Sequence, residues 1–130
     1  MRKKLLLLLF IFIFSLSGIS TVQTKPQPLE WTVEDSKMYA RQSLMAWEHN
    51  QWLCLDNLWT KESNWRHSAY NEVAVYQNGT KLNAGGIPQI LGLSPDTNPT
   101  EQIDRGVDYI IHRYSTPCLA WKHWQKYGWY

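Results

Sequence analysis

The chain has 130 residues, of which 13 are Lys or Arg and 11 are Asp or Glu. That length holds one domain. A charge balance this even, with no basic stripe and no nucleic-acid motif, excludes a nucleic-acid partner drawn in by net charge.

The chain opens with Arg2-Lys3-Lys4, an almost unbroken apolar run from Leu5 to Leu16, and the small residues Ser15, Ser17, Gly18 and Ser20. Residues 1–20 therefore read as a secretory signal peptide, cut after Ser20 or after Ser17. The rival is an uncleaved membrane anchor, although the apolar run is shorter than the ~20 residues a spanning helix requires. Export places the mature chain outside the cytoplasm, secreted or periplasmic and at the cell wall. Its membrane contact is then transient, through the signal alone, and only a retained N-terminus would leave it membrane-anchored. Without Arg2, Lys3 and Lys4 the chain is close to neutral. Residues 21–31 carry Pro26 and Pro28 and no periodicity, and read as an extended linker. The folded domain is then 32–130. All three Phe lie in the signal, so the aromatics of the domain are Trp and Tyr.

Thr32 suits a helix N-cap, with Glu34 and Asp35 in the first turn. Ala40, Leu44 and Trp47 share a face, and the spacing predicts a helix over Thr32–Asn50 that breaks at His49-Asn50. A second helix is predicted over Gln51–Ser63, where Trp52, Leu55, Leu58 and Trp59 form an apolar stripe. The next position on that stripe is Glu62. A carboxyl placed where the pattern asks for a hydrophobe keeps its proton to higher pH, because burial disfavours the charged form. A neutral carboxylic acid near neutral pH is what a general acid needs. The plainer alternative is the solvated, frayed end of a helix.

Val73, Val75 and Gln77 alternate with Ala74 and Tyr76 ahead of Asn78-Gly79, a strong hairpin turn signal. This predicts Glu72–Gln77 paired with Thr80–Asn83. Gly85-Gly86 permits close backbone approach or positive φ, and Pro88 fits the first turn of a short helix. Asn98 reads as an N-cap with Pro99 at N1, followed by the stripe Ile103, Val107, Ile110, Ile111 and Tyr114. Gly106 inside that stripe points to close helix packing. Thr116-Pro117 repeats the cap-and-proline signature for a last helix that runs to Tyr127 and stops at Gly128. Cys54 and Cys118, both in the exported part, suggest one disulfide between the Glu62 helix and the last helix. Two buried free thiols are the alternative. No Cys or His pair has zinc spacing. The fold class expected is α+β, predominantly α-helical.

The ordered set Glu62-Ser63-Asn64-Trp65, Gly86-Ile87-Pro88-Gln89 and Tyr109-Ile110 with Arg113-Tyr114 and Pro117 resembles the lysozyme-like lytic transglycosylase domains, in particular small secreted actinobacterial and phage members. The likeness runs from about Ala40 to Tyr130. It implies a lysozyme-like fold, peptidoglycan glycan strands as the partner, a monomer, and no cofactor or metal. It also implies that Glu62 is catalytic and that Ser63 and Gln89 support it or the substrate's N-acetyl groups. The family's A-Y-N motif is missing from the last helix, where Trp121 stands at the tyrosine place without a hydroxyl. Tyr109 or Tyr114 is then the substitute, and Trp65 and Trp121 are candidate sugar platforms.

Glycoside cleavage usually needs two carboxylates. Glu72 and Asp96 are the candidates for the second, both reading more simply as solvated charges, while Asp35 and Asp56 lie off the Glu62 stripe. One carboxyl suffices where the substrate's own 2-acetamido group stabilises the developing charge, as the lytic transglycosylases are understood to work. A hydrolytic lysozyme is the runner-up. A catalytically dead glycan-binding module and an envelope scaffold held by its N-terminus are the non-enzymatic alternatives. His112 and His123 read as exposed helix residues.

Overall fold

The computed structural model describes residues 30–130; the expected signal peptide and most of the expected linker, residues 1–29, lie outside them. Helix α1 spans Val33–Ser43. It starts in a reciprocal cap: the Asp35 N–H donates to Thr32 Oγ1 (3.1 Å) and the Thr32 N–H donates to Asp35 Oδ2 (2.9 Å). The Thr32 hydroxyl also donates to Asp35 Oδ2 (2.7 Å), and this bond first, then the one from the Thr32 N–H, holds the Asp35 carboxyl below its ordinary value. The helix ends earlier than the spacing predicts. Ser43 Oγ donates back to Tyr39 O (3.0 Å), a local bond that competes with continued helix. Leu44 then leaves the helix and drops into the core. His49 and Asn50, expected as the break, belong instead to α2, His49–Ser63.

Helix α2 buries Leu55, Leu58 and Trp59 completely. It ends at Asn64 (φ 55°), and Trp65 (φ 61°) is also left-handed. The tight exit folds Trp65 back edge-on to Trp59, with ring centroids 5.0 Å apart.

The predicted hairpin is present but shorter: β1, Val75–Gln77, pairs antiparallel with β2, Thr80–Leu82. Asn78 (φ 51°) and Gly79 (φ 80°) make the two-residue loop, both with the positive φ that such a loop demands. A second antiparallel pair was not foreseen, β3, Ala84–Gly85, with β4, Ile90–Leu91. Gly86–Gln89 is the turn between them, where a short helix from Pro88 was expected. Side chains from elsewhere satisfy this turn's backbone, so no helical ladder is needed. Gln102 Oε1 accepts the Ile87 N–H (2.9 Å) and Ser63 Oγ donates to Ile87 O (2.6 Å). Gln102 is fully buried, and its Nε2 donates to the carbonyls of His67, Pro95 and Thr97. One amide thus gathers two loops under the turn.

Helices α3, Pro99–Tyr114, and α4, Pro117–Tyr127, begin at the predicted Asn98 and Thr116 caps, and α4 stops at Gly128 in the left-handed region. Among the described residues four helices and two short antiparallel pairs give an α+β, predominantly helical fold, as expected. Helix α1 packs on α3 and α2 on α4. The second contact is stitched by Cys54–Cys118, Cα–Cα 4.9 Å, which bears out the disulfide over free thiols. No described helix is long and apolar enough to cross a membrane.

Gly106 is where α3 meets α2 and the turn. A Cβ there would lie 2.6 Å from Trp59 Cζ2 and 2.7 Å from Pro88 Cβ. Gly106→Ala is expected to lose about 1–3 kcal/mol from overpacking, more than the helix propensity it gains. Urea denaturation measures this; an unchanged or raised midpoint would mean that the contact has room.

Candidate active site

Glu62 sits in the last turn of α2, on the same face as Trp59 and half-buried. Burial raises its carboxyl from 4.5 to about 7, against a hydrogen bond from the Trp124 side chain that pulls it down. Trp124 comes from α4, which packs along α2 and is joined to it by the cystine.

The carboxyl opens into a cleft of about 460 Å³ whose walls include Asn71, Val75, Gln89, Trp129 and Tyr130. A second lobe of about 390 Å³ shares Gln89, Leu91, Trp129 and Tyr130 with it and adds Tyr109 and Arg113. A third, of about 400 Å³, continues past Tyr109 toward Arg105 and His112. The three form one groove. Among the described residues Glu62 is the only Asp or Glu that lines its first two lobes, and Asp108 lines the third.

The backbone around the carboxyl is built with little slack. Gln89 is left-handed (φ 53°), and its Nε2 donates to Gly86 O (2.9 Å) and Ala69 O (3.2 Å). Both side-chain N–H groups are thereby drawn inward, which leaves the amide oxygen as the group to offer to the cleft. Gly86 is at φ 70°, and a Cβ on it would lie 2.5 Å from Gln102 Oε1. Tyr130 places its hydroxyl between Trp59 and the turn: it accepts from Trp59 Nε1 (3.0 Å) and donates to Pro88 O (2.6 Å). Burial, and then the nearby charge of Glu62, push this phenol well above its ordinary range, so it stays a neutral donor.

The sequence-predicted site residues separate into two groups. Glu62, Gln89 and Tyr109 line the groove. Tyr109 Oη donates to Tyr130 O (3.3 Å), and its ring stands edge-on to that of Tyr130. Ser63 is buried below, on the Ile87 carbonyl. Trp121 lies outside the groove walls, stacked on Trp124 at 5.2 Å and packed against the core. The residue that faces Glu62 is thus Trp124, one helical turn on from the position singled out in the sequence. Trp65 is a core residue, 1% exposed, and donates to Asp56, which also pairs with Lys37 (2.8 Å). Glu72 and Asp96 are exposed and line neither of the first two lobes. The Tyr114 hydroxyl is buried and without a hydrogen-bond partner among the described residues. Trp124, Trp129, Tyr130 and Arg113 are the additions. Trp129-Tyr130 follow the Gly128 helix stop; in the sequence, Gly128-Trp129-Tyr130 belongs to the stretch that resembles the transglycosylase domains, with no site role attached to it.

Glu62 also makes stability pH-dependent. Its folded-state pKa is raised, so its favourable contribution is complete below 4.5 and is lost as pH rises through about 7. Glu62→Gln carries no charge to bury. It is expected to match the wild type in thermal stability near pH 4 and to exceed it at pH 8. Equal melting temperatures at both pH values would mean that the carboxyl is not desolvated.

Compared with protein families, characterised proteins and solved structures, the chain matches none.

Proposed function

We propose that the protein is a peptidoglycan lytic transglycosylase that cleaves the β-1,4 bond between N-acetylmuramic acid and N-acetylglucosamine. The observation that carries this reading is Glu62, a carboxyl poised near pH 7 with no second Asp or Glu in the first two lobes of its groove. A lone acid suits a reaction whose second group belongs to the substrate. Glu62 gives its proton to the glycosidic oxygen as the bond from C1 to that oxygen breaks. The muramyl 2-acetamido group stabilises the positive charge left at C1. Glu62, now a carboxylate, takes the proton of the muramyl 6-hydroxyl while O6 bonds to C1. The acid is regenerated, the product is a 1,6-anhydro sugar, and no water is consumed. A groove of three connected lobes suits a strand substrate. Gln89 and Tyr109 contact the glycan in this reading. Ser63 holds the turn that carries Gln89, and Trp121 backs the Trp124 indole. The enzyme acts as an exported monomer at the cell wall.

The test is mass spectrometry of muropeptides released from purified peptidoglycan. Muramyl ends lighter by one water support the transglycosylase. Reducing muramic ends would replace it with a hydrolytic lysozyme. Binding without release would leave a glycan-binding module.

A further inference from the structure

Arg113 stands in the second lobe with its guanidinium over three rings, 5.2 Å from the centroid of Trp129, 5.7 Å from Tyr114 and 5.8 Å from Tyr109. Such stacking fixes the plane of the guanidinium without using up its charge. Its charge is also unspent elsewhere. Among the described residues Lys37 pairs with Asp56 and Arg105 with Glu101, but Arg113 has no carboxylate partner. No Asp or Glu side chain lines its lobe, while Gln77 of the hairpin and Gln89 bring amides to it. A pre-oriented, unpaired guanidinium in a lobe free of acids is complementary to a planar anion that can take two parallel N–H bonds.

We infer that this lobe is a carboxylate subsite, with Arg113 as the specificity-determining residue that reads an acid carried by the muramyl sugar beside the scissile bond. The inference rests on the proposed glycan substrate. Two parts of that substrate carry the chemistry: the lactyl acid of a muramyl residue stripped of its peptide, and the carboxylates of the peptide stem itself.

The experiment uses full-length Glu62→Gln protein, so that binding is read without turnover, and isothermal titration calorimetry. The probes are N-acetylglucosaminyl-N-acetylmuramic acid, the same disaccharide with its lactyl acid as a carboxamide, and the disaccharide bearing its peptide stem. The carboxamide is expected to bind about tenfold more weakly than the better of the other two, the size of effect that one charge-assisted pair at a partly exposed site supplies. Preference for the free lactyl acid assigns the first source, and preference for the stem-bearing probe the second. Arg113→Ala added to Glu62→Gln should remove the preference, and Arg113→Lys should restore part of it. A merely structural arginine would weaken all three probes alike. Equal binding of the three, or binding of none, overturns the inference. Anhydro-product formation by wild-type protein is scored separately. Cleavage without discrimination removes the subsite and leaves the enzyme, whereas discrimination without cleavage leaves the subsite and removes the enzyme.

Discussion

Glu62→Gln is expected to lower kcat for glycan cleavage by about a thousandfold, within the range that positioned acid–base groups contribute, with KM little changed. Gln keeps the shape and the hydrogen-bonding reach of Glu62 but has no proton to give to a leaving oxygen. The wild-type pH profile carries the same argument. The acid must be protonated for the first step, so the rate should fall as pH rises past about 7. The base of the second step is the carboxylate that the first step creates, so its ionisation is not set by the medium. A single descending limb is therefore expected. A bell, with an ascending limb in the ordinary carboxylate range, would reveal a second essential carboxylate and a hydrolase. Initial rates on soluble glycan strands between pH 4 and pH 9 separate the two, and full activity of the Gln variant would sink the assignment of Glu62 altogether.

Cys54→Ser with Cys118→Ser should produce the largest loss of stability. The bridge closes a loop of sequence separation 64, which on the chain-entropy account stabilises the fold by about 4 kcal/mol. For a domain of this size that corresponds to a fall in Tm of about 15–30 °C, measurable by circular dichroism. Activity should fall at temperatures where the variant is still folded. The cystine joins α2, which carries Glu62, to α4, which carries Trp124, and only one other bond secures the start of α4 to α2, from the Cys118 N–H to Gln51 Oε1 (3.0 Å). A Tm within a few degrees of wild type would mean that helix packing alone sets this contact.

Much of the frame was legible in the sequence because it is local. The caps at Thr32, Asn98 and Thr116, the stop at Gly128 and the Asn78-Gly79 turn are decided by neighbours three or four residues away. The departures are tertiary. Helix α1 stops at Ser43, yet Leu44 still reaches the core from the cap position, so the spacing marked the right face and the wrong length. The strands β3 and β4 are two residues each, too short for any alternation, and the turn between them is held by Ser63 and Gln102 from distant helices. The site divides in the same way. Glu62 announced itself as a carboxyl on an apolar stripe. Choosing Trp124 over Trp121 required the phase at which α4 docks on α2. Trp129 and Tyr130 lie beyond the last helix, where no periodicity marks a face.

The indole that faces Glu62 has a further consequence. A tyrosine hydroxyl can both give and receive a hydrogen bond, whereas an indole N–H can only give one. Trp124 thus rewards the ionised carboxylate and offers no lone pair to the neutral acid. Trp124 therefore makes no claim on the hydrogen of the neutral acid, which stays on a carboxyl that opens to the cleft.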